Sequence, residues 1–503
     1  GGVPHWIAKL GNPPIYSSDL TCAMLQKKME DIAPGKQLRL NTVKSRDRLR
    51  IGTNFRVEFF ALSHNIPGSL GVVVETPAGS IVHTGDFKLD SHAHISNRTD
   101  MEAIKMLGTK NILALLCDST NSYAPGHQIS EEEVEKAVEL MFSQTKGRMI
   151  VATFASLLSR VQEVLTAAEK FNRKVLVEGF SMRTNIEIGK KLGYIRVKPT
   201  TILPWEEIKK LPNNRYLILC TGAQGEDNAA LMRIANREHK YLRVERGDLV
   251  VFSSSVIPGN DRAVTRLKDG LLREGADIVD SKMLDIHAGG HGKQEDIADL
   301  IKMVKPKYFI PIEGSYYNQV ENNKIAVANG IPERNVLMAD NGQVIEFKDG
   351  QGYVTNFRIP IEYIFVDGSA IGDVNALVLR DRKQLAGDGM VVVVAQISGR
   401  TGKVGKIDII SRGLTHMKEQ GSLIHDMVGV VHGSLRDRDS NMKPQEKDLR
   451  EQVRLDLEKY IFQKIQRQPM IIPVIIEAYQ HLLSAPPGSY GTNNNNCPDF
   501  YIG

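Results

Sequence analysis

Cysteine is scarce in this chain: there are four in 503 residues, and Cys22, Cys117, Cys220 and Cys497 lie far apart with no Cys-x-x-Cys pair among them. That spacing excludes a disulfide framework and a zinc knuckle, and it fits a reducing compartment, the cytoplasm. Long apolar runs are missing as well. Met390 to Ala395 and Met470 to Ile476 fall well short of the roughly 20 residues needed to cross a bilayer, so no membrane association is expected. Neither sign of charge dominates, since the formal net charge is only +5, which permits a polyanionic partner without requiring one. The amino terminus has no initiator methionine and no charged-then-apolar signal pattern. Gly1-Gly2-Val3-Pro4-His5 reads as the middle of a domain, and a truncated chain is expected. What is present is ordinary globular composition, 42% hydrophobic and 24% charged, with length for roughly three domains.

The most informative stretch is Asp285 to Gly292, where His287 and His291 stand four apart with Gly289 and Gly290 between them. Each glycine costs a helix about 1 kcal/mol relative to alanine, so this is a loop whose backbone can approach a ligand closely. Imidazoles so placed suit a phosphate or a metal, and an ordinary loop explains an isolated pair equally well. From Arg56 to Asp90 the pattern is strand and turn: Val57 to Leu62 ending in Ser63-His64-Asn65, Gly71 to Glu75, a turn at Thr76 to Gly79, and Ser80 to Thr84 ending in Gly85-Asp86. Asn111 to Cys117 is a buried strand ending in the polar cluster Asp118 to Ser122. Polar groups at strand tips are where active sites gather.

From Ser130 the rhythm changes to strands alternating with amphipathic helices, which implies βαβ units and a mostly parallel sheet. Ser130 and Glu133 form a capping box. Strands at Met149 to Thr153, Lys174 to Glu178, Tyr216 to Cys220, Asp248 to Ser253 and Ala276 to Asp280 lead into loops rich in Ser, Gly or Asn, which together suit an anion-binding rim for a polyanion. Each loop alone reads as a plain strand-to-helix turn. Lys307 to Glu313 forms another strand and Asp340-Asn341-Gly342 is a hairpin signal, so the α/β unit reads as an insertion within a β-rich domain. A last segment from Asp373, with β-rich sequence from Ala376 to Ile397, a charged helix from Gln445 to Gln468 and a strand from Ile471 to Glu477, reads as a small α+β domain. The asparagine-rich tail is expected to be disordered.

Taken in order, these motifs resemble the metallo-β-lactamase fold nucleases of the β-CASP group, most closely the ribonuclease J family. Ser63-His64-Asn65-Ile66-Pro67-Gly68-Ser69 resembles the third metal motif and His83-Thr84-Gly85-Asp86-Phe87-Lys88 the fourth. Asp118-Ser119-Thr120-Asn121 is similar to β-CASP motif A, His287 to His291 to motif B, and Pro311-Ile312-Glu313-Gly314-Ser315-Tyr316 stands in the place of motif C. The resemblance implies an α/β chain with a metallo-β-lactamase αββα fold, an inserted β-CASP α/β domain and a small α+β carboxy-terminal domain. The implied boundaries are 1–128 and 298–357 for the two parts of the first domain, 129–297 for the insertion, 358–372 for a linker, 373–478 for the last domain and 479–503 for the tail.

By resemblance the chain is a metal-dependent ribonuclease, acting from a 5′ end, internally or both, with two divalent ions, zinc before manganese. His64 binds one metal, Asp86 bridges both and Glu313 supplies an outer ligand. His291 is the acid, with Asp118 and His287 orienting it or the phosphate. Ser156, Arg160, Ser181, Gly289 and Gly290 are candidate RNA contacts, with helix caps or surface charge as the alternative for the first three. Self-association as a dimer or tetramer through the carboxy-terminal domain is implied too. Three departures stand out. The family's His-x-His-x-Asp-His motif is absent, so this polypeptide as given is expected to bind the metal pair poorly; Glu313 replaces a histidine, a harder ligand favouring manganese; and Gly289 and Phe180 replace serine and arginine. These substitutions keep a second reading open, a non-catalytic RNA-binding or assembly subunit.

Overall fold

In the computed structural model, the described residues are 2–90, 98–257, 259–280, 283, 286, 288–361, 366–367, 370–371, 376–398, 401, 403–414, 417–436 and 446–478. They fall into two compact units, Gly1–Ile361 and Glu362–Gly503.

The first unit is built on two sheets. One has six strands in the order Tyr308–Ile312, Ile112–Asp118, Gly79–His83, Leu70–Thr76, Phe55–Ala61 and Arg48–Ile51. Its later strands pair antiparallel through short turns, whereas Gly79–His83, Ile112–Asp118 and Tyr308–Ile312 run parallel. Ile112–Asp118 is nearly all apolar because it lies inside the sheet with both faces covered. On one face Leu115, Val73 and Val82 pack against Ile104 and Leu107 of the helix Met101–Leu107, and against Ile297, Leu300 and Ile301 of the helix Gln294–Val304. Thr76–Gly79 turns as the sequence indicates; Gly79 sits at φ 137°, where a Cβ would lie 2.8 Å from that of Leu113.

The chain leaves this sheet after Asp118 and rejoins it at Tyr308, with Ile312 in register beside Asp118. The intervening residues form a five-stranded, all-parallel sheet ordered Asp277–Asp280, Leu249–Phe252, Met149–Ala152, Tyr216–Cys220, Lys174–Glu178. Its strands are near-continuous apolar runs because helices cover both faces, Glu131–Gln144, Leu158–Lys170 and Phe180–Leu192 on one side and Ala230–Ala235 and Asp261–Arg273 on the other. Ser130 and Glu133 form the expected reciprocal cap. The insertion read from the strand rhythm is therefore the observed topology: an α/β lobe entered and left through adjacent strands.

Two sequence expectations are corrected. The turn of the last hairpin is not at Asp340-Asn341-Gly342, which precedes the strand Gln343–Lys348. It lies at Asp349-Gly350, between that strand and Gln351–Arg358, with φ 51° and 73° as a tight mirror-image turn requires. In the second unit Ala376–Asp388 is a helix rather than strand, and the strand begins at Met390. That strand, Met390–Ser398, is central, antiparallel to Val404–Arg412 and parallel to Met470–Ala478. Helices Met417–Arg436 and Glu446–Ile465 cover one face through Leu423, Met427, Val431, Val453, Leu457 and Ile461. The expected tail, and residues 362–365, 368–369 and 372 of the expected linker, lie outside the described residues.

A candidate metallonuclease site

Every strand of the six-stranded sheet that carries a motif delivers it from its carboxy-terminal end. His64 follows Phe55–Ala61; Asp86 follows Gly79–His83; Asp118 closes Ile112–Asp118; Glu313 follows Tyr308–Ile312. Main-chain bonds set the loops side by side: Lys88 N donates to Ser63 O at 2.8 Å, Thr84 N to Leu116 O at 3.1 Å, and Gly292 N to Phe87 O at 2.6 Å. The last of these brings the histidine–glycine loop onto the strand ends.

There the side chains meet. His64, Asp86 and His291 each present a ligand atom, all within 4.8 Å of one another. His64 donates from Nδ1 to Gly290 O at 2.8 Å, which turns Nε2 to Asp86 at 3.7 Å. His291 Nδ1 is 2.6 Å from Asp118 Oδ2, and the two imidazoles meet edge to face at 5.2 Å. Asp118 is held in turn by Thr120, whose N and Oγ1 donate to Oδ1 at 2.9 and 2.7 Å. Burial lowers the His64 pKa and keeps the ring neutral, as a metal ligand must be. Burial also opposes charge on His291, but the bond to Asp118 and the fields of Asp118, Asp86 and Glu313 outweigh it and raise its pKa. For Asp118 burial pushes upward, and the bonds from His291 and Thr120 prevail, so its pKa is lowered.

This donor set fits a divalent ion. It combines a neutral imidazole oriented by a backbone carbonyl with a half-exposed carboxylate, and a second imidazole braced by a buried carboxylate stands within reach of both. Glu313 is exposed beside it in a left-handed conformation, φ 59°, and acts on both His83 and His291 through its charge. His287 lies outside the described residues.

The other predicted contacts fare differently. Ser156 is half-buried on the loop after Met149–Ala152, and Ser181 is exposed in the first turn of the helix Phe180–Leu192, both at the carboxy-terminal edge of the inserted sheet. Gly290 is where the chain must have no side chain: a Cβ would fall 2.5 Å from two atoms of the His64 ring. At Gly289 a Cβ would meet only the tip of Gln128. Arg160 is a correction. It is fully buried, bonded to Glu163 at 2.6 Å, Glu131 at 3.2 Å, Ser253 at 2.7 Å and the carbonyl of Ile286. A guanidinium so enclosed has no face for an RNA phosphate. It belongs to a buried ionic cluster in which Lys88 also bonds Glu131 at 2.7 Å and approaches Asp90 at 3.4 Å.

Sequence reasoning passed over several supporting groups. Thr120 and Asn121 stood inside a noted cluster. Asn121 and Gln128 both donate to His291 O, at 3.2 and 3.0 Å, and buried Asn322 donates to Asp118 O at 3.1 Å. For Gln128 and Asn322 no local signal exists, since their partners lie 163 and 204 residues away.

The chain matches the family description "Ribonuclease J, beta-CASP domain" over residues 146–271 and "Ribonuclease J C-terminal domain" over 377–478. It is 36% identical to Ribonuclease J 1 of Streptococcus pyogenes over 482 residues, spanning 96% of this chain and 85% of that protein. The chain belongs to the ribonuclease J family. Ribonuclease J2 of Bacillus subtilis is 34% identical, over 95% of this chain and 85% of its own length, and Ribonuclease J of Thermus thermophilus 33%, over 95% and 82%. A solved structure of a protein of unknown function from Enterococcus faecalis aligns with 68% of this chain and 76% of its own at TM-score 0.48 and 16% identity, too distant to bear on the argument. Ribonuclease J membership implies metal ions, and His64, Asp86 and His291 are the group of described residues that can hold one. No helix among the described residues is long and apolar enough to cross a membrane.

Proposed function

We propose that the protein is a metal-dependent ribonuclease that hydrolyses RNA phosphodiester bonds in RNA processing and decay, from 5′ ends, internally or both. The observation that carries this reading is the convergence of His64, Asp86 and His291 on one point, with Asp118 buried behind His291. His64 and Asp86, with Glu313 at the margin, would hold the metal, zinc first and manganese second, and ions held there would supply charge to polarise the scissile phosphate and to activate a water. His291 serves as the acid: its Nδ1 is committed to Asp118, the neighbouring carboxylates favour its protonated form, and the ring is left to pass a proton to the leaving oxygen. Ser156, Ser181 and Gly289 are placed to meet RNA backbone along the loop edge. Three of the four cysteines are buried and free, which suits a cytoplasmic protein.

In the full-length protein, His291→Ala abolishes cleavage of a 5′-monophosphorylated RNA while sparing RNA binding, and wild-type turnover is lost in EDTA and restored by zinc or manganese. Undiminished turnover of His291→Ala removes the acid assignment. The second reading, a non-catalytic RNA-binding or assembly subunit, is favoured by one feature, the exposed Glu313 where the family carries histidine. Wild-type protein that binds RNA and never cleaves it under any metal would establish that reading.

A further inference from the structure

Beside the candidate site lie two exposed aromatic rings that the fold does not use. Tyr123 is 52% exposed and Tyr317 61% exposed. Their centroids are 6.4 Å apart at an interplanar angle of 38°, toward the far end of the separations at which aromatic rings pack on each other. The rings are in solvent, yet their backbones are fixed. Ser122 Oγ donates to Asn318 O at 2.6 Å and Asn318 Nδ2 to Thr120 O at 3.0 Å, which ties the turn carrying Tyr123 to the first turn of the helix Tyr316–Ala328. Ala124 N donates to Asn121 O at 3.0 Å, and Asn121 in turn holds the carbonyl of His291. Tyr123 lies two positions after Asn121, at most roughly 7 Å along the chain, about the length of one nucleotide step.

We propose that Tyr123 and Tyr317 form a base-stacking step for single-stranded RNA next to the scissile phosphate, a proposal that rests on the catalytic reading above. Exposed aromatic pairs of this kind bind bases by their π-faces without regard to sequence. The residues that present them, Ser119 to Ala124 and Ser315 to Gln319, include no lysine or arginine. The attraction they offer is therefore for a base and not for a phosphate. The ring spacing is close to twice the stacking repeat of about 3.4 Å, so a small rotation of either side chain admits one base between them. The turn that carries Tyr123 is tied through Asn121 to the carbonyl of His291, so RNA held at the site would pass these rings, and RNA rather than a protein partner is the occupant.

The test is the dissociation constant of a fluorescently labelled single-stranded oligoribonucleotide, measured in EDTA to stop turnover, with the full-length protein and its Tyr123→Ala, Tyr317→Ala, double-alanine and corresponding Phe variants. Tyr353→Ala, an exposed tyrosine on the last hairpin, is the control. Each alanine variant is expected to weaken binding between about fivefold and a hundredfold; the Phe variants and the control keep wild-type affinity. An oligonucleotide with one abasic position near the cleavage point loses affinity for wild type but not for the double variant. Wild-type affinity in both alanine variants, or equal loss in Phe and Ala variants, overturns the proposal. Undiminished RNA binding accompanied by altered self-association would assign the patch to a protein contact instead. Cleavage assayed in parallel separates the two ideas: weakened binding in a protein that never cleaves leaves the stacking step standing and sinks the catalytic reading, whereas normal cleavage with unaltered binding sinks the stacking step alone.

Discussion

At the scale of single residues, the two glycines of the histidine loop have unequal jobs. A methyl group on Gly290 would enter the His64 ring, which is itself bonded to the Gly290 carbonyl and boxed in by burial. Gly290→Ala is therefore expected to displace His64, cutting metal content and cleavage by at least about tenfold while the melting temperature stays close to wild type, a shift read by elemental analysis beside thermal unfolding. At Gly289 the neighbour is the flexible end of Gln128. Gly289→Ser is expected to fold but to cleave several-fold more slowly, because the Gln128 amide that must move aside donates to His291 O at 3.0 Å, a bond with a net worth of about 0.5–1.5 kcal/mol. The sequence marked both glycines as places of close backbone approach. It could not say that one approaches an imidazole from the opposite strand end 226 residues away.

At the scale of elements, the buried ionic cluster shows what sequence pattern leaves out. Arg160 lies on a helix whose Leu158, Val161, Val164 and Leu165 face the core, and a cation in that stripe reads naturally as a surface or phosphate-binding group. Besides Glu163 one turn along its own helix, its partners come from the preceding helix start, Glu131, from the strand end at Ser253 and from the histidine loop at Ile286, and these three are not readable from local periodicity. Burial pushes the Glu163 carboxyl up to about 8, so it keeps its proton at neutral pH. Burial opposes ionisation of Glu131 as well, but Lys88 and Arg160 outweigh it and bring that carboxyl down to about 2. The cluster then balances, Lys88 and Arg160 against Asp90 and Glu131. Glu131→Gln leaves two buried cations facing one anion and is expected to cost about 3–5 kcal/mol by denaturant titration, whereas Glu163→Gln, which mimics the protonated form, costs much less at pH 7. The pH dependence follows in sign. Glu131, ionised more readily when folded, contributes stability that is present above about pH 4.3 and disappears as pH falls toward 2, so Glu131→Gln should flatten the acid limb of a stability profile. The strands and the alternating helices were legible because apolar runs and Gly or Ser punctuation fix them. The helix Ala376–Asp388 was not, since Val378 and Leu379 beside Asn375 read equally as strand.

At the scale of the whole molecule, the three-stranded sheet of the second unit has helices on one face and exposed Ile410, Ile472 and Ile476 among its strands. Branched apolar residues left in solvent on a sheet suit a surface for association, such as the homodimer or tetramer through this domain that the sequence resemblance implies. Ile472→Asp is expected to lower the molar mass measured by light scattering toward that of a monomer while leaving the unfolding transition of the first unit in place; an unchanged mass argues against this surface.

The route of the chain between its two sheets has a further consequence. The outgoing strand ends on Asp118, and the chain comes back from the inserted lobe through the loop that carries Gly290 and His291, pinned by Gly292 N to Phe87 O, before the helix Gln294–Val304 leads to the start of the returning strand at Tyr308, so exit and return both pass the groups around His291. The far loops of that lobe are free to lengthen or shorten over evolutionary time. The short stalks joining it to the sheet are not, because one residue gained or lost there would slide the acid past its carboxylate. Chemistry and architecture share the same few peptide bonds, and variation in this lineage has to accumulate at a distance from them.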